Sequence, residues 1–193
     1  MTPATEPRTR KWTRVEYERL IDLGVFSPAE RLELLDGALV VREPQGSRHA
    51  AAIRRVLHAL RAALGEAWQI DSQLPLALDD ASEPEPDVTV VARQPDAYRD
   101  AHPSRAVLVV EIAETSYGTD REYKFSLYAR ATIAECWLID VANERVEIHR
   151  EPEVSAAALY GWRYRSVETL RSPAVVRPLI APDTRIRIVD LLP

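Results

Sequence analysis

The chain of 193 residues is 46% hydrophobic and 28% charged, and its formal net charge is −5. A net charge of this sign argues against a broad basic surface for non-specific nucleic-acid binding, although it leaves room for a local basic groove. The single cysteine, Cys136, excludes an internal disulfide and a multi-cysteine zinc site, and the chain carries no phosphate loop, dinucleotide fingerprint or G-x-S-x-G elbow.

The N-terminal residues 1–11 contain basic side chains but no apolar stretch after them, so they do not resemble a secretory signal. We interpret them as a short disordered tail that precedes a single domain at residues 12–193. No apolar run approaches the ~18 residues needed to cross a bilayer. We therefore expect a protein without a membrane span, located in the cytoplasm.

The first third of the domain predicts a helix, a hairpin and a second helix, at residues 12–23, 31–42 and 48–64. Thr13 is a candidate N-cap, and Glu16 completes a capping box. Asp36-Gly37 is a strong signal for a type I′ turn between two apolar strands. The apolar residues of the second helix recur at helical spacing until Gly65 ends the run.

Short apolar runs typical of strands follow the second helix, interrupted by one further helix. The strands are predicted at residues 67–72, 74–78, from 87 onwards, 106–113, 135–141, 144–150 and 160–167, and residues 184–192 alternate like a strand. The third helix is predicted at residues 118–131, with Thr119 as its cap. This order predicts an α/β or α+β fold, in which helices pack on a mixed sheet.

Two carboxylates stand at the ends of predicted strands. Asp87 begins a strand directly after a proline, and Glu111 lies near the end of the apolar run AVLVVEIA. A buried carboxylate costs several kcal/mol, roughly, unless it is paired or bound to a cation. Two carboxylates on adjacent strands would hold Mg²⁺. The competing interpretation is that Glu111 pairs with an arginine or lies at a solvated strand end.

Lys124 follows in the predicted third helix, on the same face as Asp120 and Tyr128. A surface Asp–Lys pair is the ordinary interpretation of this spacing. However, only two of the 25 basic residues are lysines, Lys11 and Lys124. An ammonium is a compact charge that would sit beside a scissile phosphate, so we treat Lys124 as a candidate catalytic residue, with chance as the alternative.

These segments together resemble a known family. EPDVTVV, VLVVEIAETSYGTDREYKFSLYARATIAECWLID and the upstream ELLDGALVVREPQGSRHA are similar to the Uma family of restriction-endonuclease-like proteins, in the PD-(D/E)XK nuclease superfamily. The resemblance spans roughly residues 12–150. It implies a restriction-endonuclease-like mixed sheet flanked by helices, with an N-terminal hairpin.

The resemblance also implies roles for individual residues. Pro86 and Asp87 match the "PD" half of the motif, and Glu111 matches its second acidic residue. The usual lysine two positions later is absent, because that position is Ala113. In this family the lysine comes from the following helix, which makes Lys124 the counterpart. This requires the helix to pack over the ends of the Asp87 and Glu111 strands.

Four further residues are possible supporting members of the site: Glu33, His49, Asp120 and Tyr128. Glu33 would reach the site from the hairpin, and Tyr128 would position Lys124 or a phosphate. His49 would touch a phosphate or the metal shell, but it could equally cap or pack the start of its helix. The family's Gly-x-Pro-Glu-Tyr-Trp stretch is altered at residues 131–137, where alanines and Cys136 replace structural positions.

The expected activity is a metal-dependent endonuclease that hydrolyses phosphodiester bonds, with Mg²⁺ or Mn²⁺ held by Asp87 and Glu111 and with DNA as the expected partner. The alternatives are an inactive nuclease-fold module that binds DNA or protein, and a hydrolase of another phosphoester. By analogy with nucleases that cut both strands we expect a homodimer. The aromatic residues Trp137, Tyr160, Trp162 and Tyr164 would either cover its interface or lie in the core.

Overall fold

The computed structural model describes residues 9–27, 29–42, 44–94, 98–114 and 120–193, without the side chains of residues 120 and 121. Its helices are α1 (Arg14–Asp22), α2 (Ser47–Leu64) and α3 (Phe125–Arg130). Its strands are β1 (Leu32–Leu35), β2 (Ala38–Val41), β3 (Trp68–Asp71), β4 (Val88–Ala92), β5 (Leu108–Ala113), β6 (Glu135–Asp140), β7 (Arg145–Val154), β8 (Trp162–Leu170), β9 (Val175–Val176) and β10 (Ile186–Arg187).

The main sheet has six strands within the described residues, in the sequential order β3-β4-β5-β6-β7-β8. The pair β5 and β6 is parallel and the other neighbours are antiparallel. A parallel pair needs a crossover, which the segment containing α3 supplies. The predicted mixed sheet with helices packed on it is confirmed.

The sheet divides the core into two layers. Val88, Val110 and Ile112 point towards α2, whose residues Val56 and Leu60 are buried against them. The opposite face carries Val109, Ala113, Cys136 and Leu138, which pack with Phe125 and Tyr128 of α3. Because successive side chains of a strand point to opposite faces, the fully apolar neighbours of Glu111 alternate between these two layers.

The N-terminal hairpin forms a separate two-stranded sheet, β1 with β2. Asp36 and Gly37 both have positive φ, 48° and 81°, as the predicted type I′ turn requires. Backbone hydrogen bonds join the hairpin to the rest of the chain, since Gly37 N–H donates to Ala81 O at 2.7 Å and Leu34 forms a β-bridge with Glu83. These contacts hold β1 beside the loop that leads to β4.

Three predicted elements differ from the structure. Residues 74–78 belong to no strand, because Pro75 interrupts the run and the N–H groups donate to loop carbonyls, as Leu76 does to Pro84 at 2.9 Å. Only Ile186–Arg187 pairs in the last segment, before a 3₁₀ turn at Ile188–Asp190. The third helix begins with a π-helical turn at Asp120–Lys124, and Thr119 lies outside the described residues.

The helices offer no membrane span within the described part of the chain, since none is both long and apolar enough to cross a bilayer. Residues 1–8 of the predicted N-terminal tail lie outside the described part. Next to them, Lys11 forms an ion pair with Asp36 at the hairpin turn.

Glu83 is a buried carboxyl group beside the hairpin, with 2% of its surface exposed. Its Oε2 has no hydrogen-bond partner within the described residues, and the Arg14 guanidinium lies 3.9 Å from that oxygen. Burial, together with the neighbouring Glu18 carboxyl group, raises the pKa of Glu83 from its ordinary value of 4.5 to about 7. The ionised form is therefore disfavoured in the folded protein.

We expect Gly37→Ala to lower the free energy of unfolding by about 1–2 kcal/mol, because the residue needs positive φ and a methyl group would approach Lys11 Cβ to 2.7 Å. Gly24→Ala is the matched control, since Gly24 also has positive φ but no atom within 4 Å of the added carbon. Urea unfolding measures both. Equal losses would show that the contact with Lys11 contributes nothing.

We expect Glu83→Gln to stabilise the protein at high pH only. A folded pKa of about 7, raised above the unfolded value, means that stability falls as pH rises from 4.5 through 7. The amide cannot ionise, so the variant gains about 1–2 kcal/mol at pH 8, with allowance for solvent screening, and little at pH 4.5. Urea unfolding at both pH values measures this, with Glu168→Gln as the control at an exposed site. A gain in the free energy of unfolding that is the same at both pH values would contradict the prediction.

Candidate active site

Asp87 stands immediately before β4, where the ladder with β5 ends. Val88 pairs with Val110, so Asp87 and Glu111 lie one residue beyond the last antiparallel pair. The Asp87 side chain continues the ladder, since its Oδ2 accepts a hydrogen bond from Ile112 N–H at 2.8 Å. Pro86 lacks an N–H and ends the strand there. The sequence thereby places both acidic residues at the same end of the β4–β5 ladder, in the interior of the sheet.

Glu111 lies within β5, buried to 2% exposure on the sheet face that α3 covers. Tyr128 donates its phenolic hydrogen to Glu111 Oε1. Burial first and the Glu111 charge second raise the pKa of Tyr128 well above its usual range, so the phenol remains a donor. Tyr128 therefore fixes the orientation of the Glu111 carboxylate.

Lys124 reaches the same carboxylate from the π-helical turn that precedes α3. Its Nζ lies 3.4 Å from Glu111 Oε1 and donates to Glu33 Oε1 at 3.0 Å, and the residue is 6% exposed. Ala113 is on the same strand face as Glu111 and is small, which leaves the space above β5 to the helix. The lysine thus arrives from the helix and not from position 113.

His49 occupies the first turn of α2 and approaches Asp87 from the other side of the sheet. Its Nε2 lies 3.0 Å from Asp87 Oδ2, and its Nδ1 has no hydrogen-bond partner among the described residues. Burial lowers the pKa of His49, but the hydrogen bond and the charge of Asp87 outweigh it, so the pKa is raised. For Asp87, burial raises the pKa, and His49 outweighs that effect, so the pKa is lowered.

Three polar residues of the site escaped the sequence analysis. Arg42, at the end of the hairpin, places Nη2 3.3 Å from Asp87 Oδ1 and Nε 3.5 Å from Glu33 Oε1. Gln45 and Gln73 donate to the same Asp87 oxygen at 3.4 and 3.5 Å. The position of Arg42, directly after an apolar strand in VVREPQGSRHA, was a usable signal, whereas no local pattern marks Gln73.

Glu33 enters the site from the hairpin and is 2% exposed. Its Oε1 accepts bonds from Lys124 and from the backbone N–H of Glu85, the latter at 2.8 Å. Buried carboxylates persist when each is paired and hydrogen-bonded, and Arg42, Lys124 and His49 supply that pairing for Glu33, Asp87 and Glu111. The three acidic and three basic groups form one network, which we call the charge cluster.

The structure joins most of the predicted site residues in one chain of contacts, from His49 through Asp87, Arg42, Glu33, Lys124 and Glu111 to Tyr128. The Asp120 side chain lies outside the described part of the chain. Of the aromatic residues with two possible roles, Trp137 and Tyr164 are buried in the core, at 0% and 6% exposure, while Tyr160 and Trp162 are half-buried.

The donor chemistry of the cluster bears on the expected metal. Among the described residues there is no group of three His, Cys, Asp or Glu side chains placed to hold an ion, which does not fit an all-protein zinc or calcium site. Mg²⁺ needs less, since one or two carboxylates with waters and substrate phosphates suffice. Asp87 and Glu111, one residue beyond the last pair of β4 and β5, supply two carboxylates of that kind.

We expect Lys124→Met to lower the free energy of unfolding by about 3 kcal/mol at pH 7, because Glu33 and Glu111 would lose a buried cation. Lys11→Met, at the chain's other lysine, removes an ammonium that is 69% exposed and should cost less than about 1 kcal/mol. Adding Glu33→Gln to Lys124→Met should recover part of the loss. Urea unfolding of the four proteins tests this, and equal costs for the two lysines would contradict it.

Comparisons with known proteins agree with this architecture. The chain superposes on a solved structure described as a "putative nuclease belonging to DUF820" from Anabaena variabilis, with a TM-score of 0.67, 17% identity, and coverage of 88% of this chain and 94% of that one. At that identity the likeness shows the fold. No curated protein gives a significant match. The Uma2 family, described as "Putative restriction endonuclease", matches residues 14–188, and the chain therefore belongs to the Uma2 family.

Proposed function

We propose that the protein is a metal-dependent endonuclease that hydrolyses the phosphodiester bonds of DNA. The observation that carries the proposal is the meeting of Asp87, Glu111 and Lys124. They come from two strands and a helix, and Lys124 Nζ lies 3.4 Å from Glu111 although the ordinary motif position, Ala113, has no amine. Membership of the Uma2 family supports the same reaction class.

Asp87 and Glu111 would hold Mg²⁺ or Mn²⁺. When bound, such an ion supplies Lewis-acid stabilisation of the phosphate and a more acidic water. The side chains around the carboxylates keep them ready: Tyr128 orients Glu111, and Ile112 N–H and His49 orient Asp87. The lowered pKa of Asp87, due to His49 against the opposing effect of burial, keeps that carboxylate ionised at neutral pH.

Lys124 is the group that we assign to the phosphate. A buried ammonium beside two carboxylates would donate a hydrogen bond to a non-bridging phosphate oxygen or orient the attacking water, and it would stabilise the negative charge that develops as the P–O bond breaks. Arg42 lies against Asp87 and Glu33 on the hairpin side and would balance the cluster while substrate is absent.

An inactive binding module is the second candidate function, and one observation favours it. Arg42, His49 and Lys124 already pair with the buried carboxylates, so these carboxylates have protein partners without a bound ion. A phosphoester substrate other than DNA would use the same residues. We also propose that the protein forms a homodimer, because two symmetry-related active sites would cut both strands of a duplex.

The nuclease proposal predicts nicking or linearisation of supercoiled plasmid with Mg²⁺ or Mn²⁺ and none with EDTA. Lys124→Ala should lower the cleavage rate at least about 100-fold, a loss typical of removing one charge-stabilising group. Lys11→Ala is the matched control and should cleave like the parent. Cleavage by Lys124→Ala at the parental rate would overturn the assignment of this residue.

A parent protein that cleaves neither plasmid nor single-stranded DNA would move the conclusion to the binding module or to another phosphoester. Melting temperature then separates the two. An ion that binds only the folded protein raises the melting temperature as its concentration increases. A shift with Mg²⁺ or Mn²⁺ that Asp87→Asn abolishes supports a phosphoesterase, whereas no shift supports the binding module.

A further inference from the structure

The charged side chains on the outer face of α2 are all basic. Arg48, Arg54, Arg55, His58 and Arg61 are all exposed on this helix. No acidic residue occurs between positions 47 and 64, although the chain has 30 of them and a net charge of −5. The face is therefore a local basic surface on an acidic protein.

Helix periodicity makes this surface continuous. Arg54 and Arg61 are seven residues apart, which is about two turns, so they project from the same side, with His58 between them. The opposite side of the helix, including Ala52, Val56 and Leu60, is buried against the sheet. From Arg48 to Arg61 the surface extends roughly 20 Å at 1.5 Å per residue.

Most of these basic side chains form no ion pair within the described part of the chain. Arg54 and Arg61 form no ion pair with any described residue, and Arg48 makes only a 3.5 Å bond to Val141 O. The acidic residue near this surface, Asp190, hydrogen-bonds to Arg187 and also lies close enough to Arg55 and His58 to interact with their charges. Arg48 lies in the first turn, where a cation opposes the helix dipole and where α2 has no acidic residue.

The surface also has a defined position relative to the candidate active site. His49, in the first turn of α2, contacts Asp87 at 3.0 Å. The neighbouring Arg48 is exposed, and the remaining basic residues follow towards the C-terminal end of the helix. The basic face thus begins at the charge cluster and leads away from it.

We propose that the outer face of α2 is the docking surface for the phosphodiester backbone of the nucleic acid that the active site cleaves. The inference rests on the proposed function, which it extends by saying where the substrate lies. Guanidinium groups bind phosphate oxygens through paired N–H donors, and a duplex presents one charge per about 1.7 Å of axis, so a 20 Å row of arginines faces several phosphates. Arg54 and Arg61 are the central contacts.

The test is binding of a fluorescein-labelled 20-base-pair duplex, measured by anisotropy in EDTA at several NaCl concentrations. Arg54→Ala/Arg61→Ala should weaken binding about 10-fold at 0.1 M salt and reduce the slope of log K against log salt by about 2. The matched control is Arg163→Ala/Arg165→Ala, which removes the same charge from residues of β8 that pair with Glu153 and Glu151. It should change the dissociation constant less than twofold.

Alanine is a strong helix former, and Arg54 and Arg61 are exposed, so the α2 variant should keep the parental melting temperature. The β8 variant loses two exposed ion pairs, which contribute little to stability, so its melting temperature should change little. Equal weakening in the two variants, no weakening, or no duplex binding by the parent would overturn the inference. Binding of a labelled oligoglutamate peptide in place of the duplex would also overturn it and indicate an acidic protein partner. A parent that binds DNA through α2 but never cleaves it would refute the proposed nuclease and leave the docking surface standing.

Discussion

The site depends on how the chain neutralises carboxylates that it buries. Glu33, Asp87 and Glu111 are each 2% exposed, and leaving a buried carboxylate unpaired costs several kcal/mol, roughly, which is a large share of the stability of a domain. The Lys124 ammonium pairs with two of them, at 3.0 Å from Glu33 and 3.4 Å from Glu111. Because these three residues belong to the hairpin, the central strand and the helical crossover, one ammonium couples three parts of the fold.

The crossover from β5 to β6 explains why this lysine can come from a helix. A parallel pair of strands obliges the chain to cross one face of the sheet, and α3 lies there, over the face of Glu111 and Ala113. Within the described residues, a π-helical turn that ends at Lys124 leads into α3. Turns of this kind are rare and recur at functional sites, since the wider turn redirects a side chain.

The two sides of the sheet contribute differently to the site. The α3 side supplies Lys124 and Tyr128 and is closed by apolar packing. The α2 side supplies His49 and continues outward as the basic face that we assign to the substrate backbone. Arg42, Gln45 and Gln73 hold Asp87 from the hairpin and the loops, so the carboxylate has partners from both sides.

The sequence alone determined the residues that carry charge into apolar strands, the Asp36-Gly37 turn and the three helices, because these follow from local patterns and turn chemistry. The resemblance to the Uma family further pointed to Lys124, which a surface pair at helical spacing could equally explain. Contacts between distant segments were beyond local pattern: Glu33 and Lys124 are 91 positions apart, and Arg42 and Asp87 are 45 apart. The predicted strand at residues 74–78 was wrong, because tertiary packing places loop carbonyls, and not a neighbouring strand, opposite their N–H groups. Only the packing of the hairpin and the crossover helix onto the sheet decided which charges meet, because pairing energies act between atoms in space and not along the chain.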